Sequence, residues 1–121
     1  MGVVWHGHYL RYIEDGREHF GHEHGISYMD MYSHGYKVPI VKLSIDHKAS
    51  LLYGDKVRVE TTYIDSPAAK LQFHFNLVNV ETGIVAAKCQ STQVFLDKND
   101  DLQITVPDFF REWRKKMGFI E

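Results

Sequence analysis

The chain has few of the features that mark a secreted or membrane protein. Its one cysteine, Cys89, excludes an internal disulfide and suits a reducing compartment. No apolar run approaches the roughly 18 residues that a membrane-spanning helix requires. The first residues lack the basic region and the long apolar core of a secretory signal peptide. These absences predict a cytoplasmic protein with no membrane span.

The charge balance excludes a further class of function. Because 14 Lys and Arg stand against 16 Asp and Glu, no broad phosphate-binding surface for nucleic acid is expected. An apolar content of 44% is ordinary for a globular core. We therefore expect one domain over residues 1–121, with no nucleic acid as its partner.

An amphipathic helix is predicted near the start of the chain. Its apolar positions follow the helical period: Tyr9, Ile13, Gly16 and Phe20. Gly25 is typical of the residue that follows a helix. The start of such a helix presents backbone N–H groups and a partial positive charge. It can therefore hold an anion or a developing oxyanion.

The rest of the chain is predicted to form strands between two further helical segments. Ser27 and Asp30 form a weak capping box at the start of a short turn of helix. Four runs with strand character follow, at residues 37–48, 56–65, 70–80 and 84–96. A change of phase near Val41 indicates a bulge in the first run. A last helix is predicted from Pro107 to Gly118. The order predicts an α+β fold, with a meander-like antiparallel sheet packed on the first helix.

A further pattern runs from the chain start into the first helix: Gly2-Val3-Val4-x-His6-x-x-Tyr9, then Glu14 and Arg17. It resembles the hotdog-fold acyl-CoA thioesterases of the 4-hydroxybenzoyl-CoA thioesterase type. The resemblance continues through Pro39 and a Tyr-Gly-Asp turn at residues 53–55, and covers most of the chain. It implies a sheet wrapped around a long central helix and hydrolysis of acyl-CoA to free acid and CoA. It also implies no retained cofactor, and a homodimer or homotetramer with sheets joined edge to edge.

The resemblance also assigns site residues. The catalytic set is Gly2, His6 and Tyr9, with the backbone N–H of His6 directed at the thioester carbonyl oxygen. The alternative for Tyr9 is a core tyrosine, and for His6 a residue that merely starts the helix. Trp5 is expected to line the acyl pocket or to cover the dimer seam. Trp5, Tyr28, Tyr32 and Tyr36 together suggest an aromatic or medium-chain acyl pocket.

Further expectations concern the coenzyme A moiety and the catalytic acid. The substrate-binding set adds Ser66, Lys70 and Arg58, with the Lys70 ammonium on a phosphate. The family's catalytic Asp falls three residues before Gly2, hence upstream of Met1, as does its first strand. The chain as numbered is therefore expected to hydrolyse thioesters weakly, and an extension carrying that Asp to raise the rate.

Three alternatives stay open. The first is a non-catalytic module that binds acyl-CoA or a partner. The second is that Glu14 or Asp15 replaces the missing carboxylate, although Glu14 lies some 12 Å along the helix from His6. The third is a zinc site in the histidine cluster His19, His22 and His24, which contains no H-E-x-x-H pattern. We expect no bound metal, and a buried, inert thiol at Cys89.

Overall fold

The computed structural model describes residues 6–120, with side chains from His8 onward. In chain order, the elements of this part are α1 His6–His24, α2 Tyr28–Ser33, β1 Ile40–His47, β2 Val57–Ile64, β3 Lys70–Asn79, β4 Val85–Val94 and α3 Asp108–Lys116. The predicted α+β architecture, a long helix followed by four strands and a final helix, is confirmed. None of the described helices is both long and apolar enough to cross a membrane.

The strands form one antiparallel sheet in the order β1-β4-β3-β2. The segment β2-β3-β4 is the predicted meander, but the prediction that β1 continues it is wrong, because β1 pairs with β4. Residues 48–56, which connect β1 to β2, are too many for a tight hairpin. Leu51 in this connection is fully buried, so the segment contributes to the core as it crosses from one edge to the other. The predicted bulge is confirmed by a register shift between Ile40 and Lys42.

Helix α1 lies against the inner face of the sheet, over β2 and β3. Tyr9 and Ile13 are buried on its inner stripe. If Gly16 were alanine, the added methyl carbon would lie 2.6 Å from a Val59 methyl carbon and 2.7 Å from the Thr61 hydroxyl oxygen. Glycine at this position therefore lets the helix backbone approach β2 closely.

The ends of α1 and α2 follow the expected capping chemistry. Helix α1 begins at His6, three residues before the first apolar position of the predicted stripe. It ends before Gly25, whose φ of +78° is the left-handed conformation expected of a residue after a helix. Ser27 and Asp30 form the predicted capping box of α2. The histidines in the last turn of α1 lie at the negative end of its dipole.

Helix α3 closes the far end of the core, beside the C-terminal end of α1. Phe110 and Trp113, both on its predicted stripe, are buried. The Trp113 indole N–H donates to the His24 carbonyl oxygen at 2.7 Å, which satisfies one acceptor in the last turn of α1. Arg114 forms a two-pronged ion pair with Asp65, at 2.8 and 3.0 Å. These contacts attach α3 both to α1 and to the turn after β2.

Candidate active site

The candidate site is the N-terminal end of α1. His6 is the first helical residue, and the first turn contains no acidic side chain that would compete with an anionic ligand. The first N–H groups of an α-helix have no partner within the helix, and they carry the positive end of its dipole. The backbone of His6 therefore lies at the helix start, and its role as an oxyanion donor stays a prediction. Gly2 and Trp5 lie outside the described residues.

The connection between β1 and β2 borders this helix end. The ring of His8 meets that of Tyr53 edge to face, with 5.6 Å between centroids. The ring of Tyr9 meets that of His47, the last residue of β1, at 4.8 Å. Two aromatic contacts thus hold the first turn of the helix against the end of β1 and the turn that follows it.

Tyr9 is a core residue at this position. Its side chain is buried, and burial raises the pKa of its hydroxyl, against a smaller opposing effect of a hydrogen bond with the Leu51 backbone. This placement fits the alternative of a core tyrosine that fixes the helix start. A catalytic role for Tyr9 stays a prediction.

Glu14 and Asp15, two of the four acidic residues of α1, lie on different faces of the helix. Asp15 lines a crevice between α1 and β2, together with His19, Glu23 and Thr61. Glu14 lies on the other side, close enough to Tyr28 to contribute to the raised pKa of its hydroxyl, although burial is the larger cause. Both lie eight or nine residues beyond His6, hence about 12–14 Å along the helix axis. Neither reaches a carbonyl held at the first turn of the same subunit.

The residues predicted to bind coenzyme A do not all lie at this end. Ser66 and Lys70 flank the turn between β2 and β3, beside the C-terminal half of α1. That half is located by Phe20, whose ring stacks on Tyr63 near the end of β2. Since α1 is 19 residues long, its two ends are about 28 Å apart. Within one subunit, Lys70 is therefore remote from the helix start.

Arg58 occupies the opposite end of β2. It is the second residue of the strand and pairs in register with Val78, at the end of the sheet that is near the start of α1. Its side chain lies on the outer face of the sheet, where its Nε donates to Glu60 at 3.1 Å. The exposed pair leaves the Arg58 guanidinium available to a second anion.

The histidines of the cluster lie close to glutamates of the same helix. His19 lies 2.8 Å from Glu23, and His22 lies 3.8 Å from Glu18, each one helical turn apart. Among the residues from His8 to Ile120, no group of three or more His, Cys, Asp or Glu side chains is arranged to hold a metal ion. The geometry of this part of the chain therefore gives the zinc alternative no support.

Cys89 has the environment of an unreactive thiol. It is buried in β4, and burial raises the pKa of its thiol to about 11. The thiolate is the nucleophilic form of cysteine, so little of it exists at neutral pH. This agrees with the expected inert, buried thiol.

A buried polar cluster beside the helix was not predicted as a unit. Arg17 is fully buried; its Nε donates to Gln93 at 2.8 Å, and its guanidinium lies over the rings of Tyr28 and Phe73. Its two terminal nitrogens have no hydrogen-bond partner among the described residues. Burial lowers the pKa of Arg17. The spacing Ile13–Arg17 places this side chain near the inner stripe of α1, which is the signal that the sequence offers.

The structure combines one antiparallel sheet with a long helix packed on it, and the first turn of that helix contains no acidic side chain. A family model described as the thioesterase-like superfamily matches residues 1–114. The putative acyl-CoA thioesterase YneP of Bacillus subtilis (strain 168) is 30% identical over 113 residues, which are 93% of this chain and 81% of that protein. The chain therefore belongs to the thioesterase-like superfamily.

Solved structures give the same fold. A DHNA-CoA thioesterase from Staphylococcus aureus superposes with a TM-score of 0.83 at 24% identity, covering 98% of this chain and 82% of that one. A 1,4-dihydroxy-2-naphthoyl-CoA thioesterase from Synechocystis superposes with a TM-score of 0.78 at 20% identity, covering 93% of this chain and 82% of that one. The predicted hotdog fold is thereby confirmed.

Proposed function

We propose that this protein hydrolyses acyl-CoA thioesters to a free acid and CoA. Two findings support the proposal: membership of the thioesterase-like superfamily, and similarity to the putative acyl-CoA thioesterase YneP. The observation that carries it is the start of α1, where the first backbone N–H groups have no partner within the helix and the first turn contains no acidic side chain. This is the chemistry that a developing oxyanion requires.

In the proposed reaction, water attacks the thioester carbonyl and the start of α1 stabilises the charge that develops. As water adds to the thioester carbonyl, negative charge develops on its oxygen, and the His6 N–H stabilises that charge. The C–S bond then breaks, the carbonyl re-forms as the acid, and the sulfur leaves as the CoA thiol after taking a proton. In the family pattern a carboxylate attacks the carbonyl or activates the water. The family pattern places that carboxylate before Gly2, and residues 1–5 of the sequence contain no Asp or Glu.

We further propose a cytoplasmic homo-oligomer, a dimer or a tetramer. The expected contacts of one CoA molecule support this assembly, because the helix start and Lys70 lie at opposite ends of the same subunit. In a two-fold dimer, one substrate reaches the helix start of one subunit and basic residues of the other. Arg58 is the alternative within the same subunit, because it lies at the correct end of β2.

Two substitutions at His6 test the proposal. His6→Pro removes the backbone N–H, and proline is well tolerated at the first position of a helix. His6→Ala keeps the N–H and removes the imidazole. Loss of one oxyanion donor should lower kcat by about 10²–10³-fold in His6→Pro. His6→Ala should stay within a few-fold of the unaltered protein.

The assay uses a panel of acyl-CoA thioesters, with release of free thiol as the readout. Circular dichroism and the thermal midpoint confirm that both variants are folded. Equal kcat values in folded His6→Pro and in the unaltered protein would refute the role of the helix N–H. Binding of the thioesters without release of thiol would refute hydrolysis and identify a binding module instead.

A further inference from the structure

An apolar cavity lies between α2 and the start of β1. Its volume is about 400 Å³, within the range of small-molecule sites, and its lining includes Tyr28, Met29, Tyr32, Tyr36, Val38 and Pro39. The structure thus gathers three of the aromatic residues that the sequence associates with an acyl pocket, and that role stays a prediction. At the rim, Met29 and Tyr32 are 70% and 63% exposed, so the cavity opens to solvent there. This cavity is called the tyrosine pocket below.

Tyr28 is the tyrosine of this pocket that buried groups hold in place. Its backbone N–H donates to the Glu18 carboxylate at 3.0 Å, and its ring centroid lies 5.2 Å from the Arg17 guanidinium carbon. Its hydroxyl oxygen accepts a hydrogen bond from the side-chain amide nitrogen of Gln93 at 3.2 Å. The same amide nitrogen donates to the Val38 carbonyl oxygen. The Tyr28 hydroxyl is therefore fixed beside Val38, a buried residue of the pocket lining.

The hydrogen bonds of Gln93 determine what the Tyr28 hydroxyl can do. The Nε atom of Arg17 is only a donor, so the amide oxygen of Gln93 must face it, at 2.8 Å. The amide nitrogen of Gln93 is then the atom that faces the Tyr28 oxygen, which accepts. Within the part of the chain that the structure describes, the Tyr28 hydroxyl donates no hydrogen bond of its own. Its proton is therefore available to an acceptor in the pocket.

The charges around the pocket favour an uncharged ligand. Burial raises the pKa of the Tyr28 hydroxyl, so the phenol keeps its proton at neutral pH; the Arg17 charge opposes this shift and the Glu14 charge adds to it. These charges of opposite sign give the hydroxyl no preference for an ion of either sign. Lys37, the cation of the lining, is paired with Asp100 at 2.8 Å. A charged group in this apolar pocket would therefore lose hydration without gaining a free counter-charge.

We propose that the tyrosine pocket binds a flat, uncharged aromatic molecule that carries an acceptor oxygen, such as an aryl ketone, and that the Tyr28 hydroxyl donates to that oxygen. Tyrosine rings and a proline offer flat apolar surface to the ligand ring. Gln93 and Arg17 are positioning residues, because they orient the hydroxyl. A chain of hydrogen bonds that begins at a cation also polarises the hydroxyl and strengthens its donation. The inference does not depend on the proposed hydrolysis of acyl-CoA.

Two probes of the same shape test the donor. Acetophenone carries an acceptor oxygen where α-methylstyrene carries a methylene group. Tyr28→Phe removes the hydroxyl and keeps the ring beside Arg17. It should weaken the binding of acetophenone by about 3–10-fold, the net value of one hydrogen bond. The affinity for α-methylstyrene should stay the same or rise. Titration calorimetry on the full chain measures both affinities.

Two further variants separate the fixed donor from its surroundings. Tyr32→Phe removes an exposed hydroxyl at the rim of the same pocket and should change neither affinity. Gln93→Glu replaces the donating amide nitrogen by an oxygen that only accepts, so the Tyr28 proton should turn towards Glu and away from the ligand. Gln93→Glu should thus weaken acetophenone binding about as much as Tyr28→Phe, and the double variant should lose no more. Thermal midpoints check folding, and Tyr28→Phe decides alone if Gln93→Glu does not fold.

Three results would overturn the proposal. If neither probe binds at millimolar concentration, the pocket is not a site for such molecules. If Tyr28→Phe weakens both probes equally or neither, or if Tyr32→Phe alone weakens acetophenone, Tyr28 is not the donor. If benzoate binds more tightly than acetophenone, the pocket selects an anion and the assignment of an uncharged ligand is wrong.

Discussion

Gly16 sets how closely helix α1 approaches the sheet, and replacing it tests that contact directly. In Gly16→Ala the new methyl carbon would lie 2.6 Å from a Val59 methyl and 2.7 Å from the Thr61 hydroxyl oxygen. Real side chains do not approach so closely, so the helix or the two side chains on β2 must move. A displaced helix also carries the start of α1 away from its position beside Tyr53.

Two opposing effects determine how much Gly16→Ala changes the free energy of unfolding. Alanine is favoured over glycine inside a helix by about 1 kcal/mol, which alone would stabilise the variant. Overpacking a closely fitted site typically costs about 1–3 kcal/mol. The side chains of Val59 and Thr61 can rotate, which places the cost in the middle of that range. We therefore expect a net loss of roughly 1 kcal/mol in the free energy of unfolding.

Gly21→Ala is the matched control on the same helix. Its methyl carbon would lie 2.7 Å from the Ser27 Cα atom and 2.9 Å from the Ile26 carbonyl oxygen. These are backbone atoms of a turn, which cannot rotate away, so the overpacking cost lies at the upper end of that range and Gly21→Ala should lose about 2 kcal/mol after the gain in helix propensity. Urea unfolding at fixed protein concentration measures both values. If Gly16→Ala is instead stabilised by about 1 kcal/mol, helix propensity alone governs the site and the close approach to β2 is refuted.

Three further predictions concern other parts of the molecule. The Arg114 guanidinium lowers the pKa of Asp65 in the folded protein, so the pair stabilises the fold above the unfolded pKa of about 3.9 and this contribution disappears as the pH falls through the folded value. Asp65→Asn should thus lose about 1–2 kcal/mol at pH 7 and much less near pH 3, measured by urea unfolding; an equal loss at both pH values would refute the assignment. Lys70→Ala should weaken CoA binding by roughly 1–2 kcal/mol in titration calorimetry at low salt and by less at high salt; if only Arg58→Ala weakens it, the phosphates lie at the other end of β2. Cys89 should react with iodoacetamide at pH 7 only as fast as the protein unfolds, because its buried thiol has a pKa of about 11; rapid labelling of the folded protein would contradict this.

The parts of the fold that local periodicity encodes were predictable from the sequence. The stripe from Tyr9 to Phe20 specifies α1, because its apolar side chains recur at the helical period. Strict alternation along Val57–Ile64 specifies a strand with one buried face. Gly25 and the Ser27–Asp30 pair mark helix ends through backbone chemistry that depends on neighbours alone.

The position of β1 was not predictable in the same way. Whether a strand pairs with the next strand or with the last depends on contacts far apart in sequence, such as Ile45 with Cys89. The connection at residues 48–56 contains Gly54, which marks a turn but not the destination of the chain. Leu51 in this connection is buried, but only the structure shows that the segment contributes to the core.

The candidate site was predictable only as far as one helix end. The resemblance identifies His6, and the structure places it at the first position of α1. The resemblance does not indicate that Lys70 lies near the other end of that helix, because the distance between two residues of a sheet depends on strand direction. The cluster of Arg17 and Gln93 was equally unpredictable, since 76 residues separate the two partners.

The stabilising value of the helix N–H groups depends on how rigidly the helix is held, because donors that need not reorganise stabilise an oxyanion best. Contacts along its whole length hold α1, among them Tyr9 against His47 at its start, Gly16 against β2 in its middle, and the Trp113 indole at its last turn. A rigid helix transmits an axial shift along its whole length. Loss of the Trp113 contact, about 28 Å from His6, should therefore affect the geometry of the oxyanion as well as stability. On this argument the C-terminal helix α3 is part of the support of the start of α1.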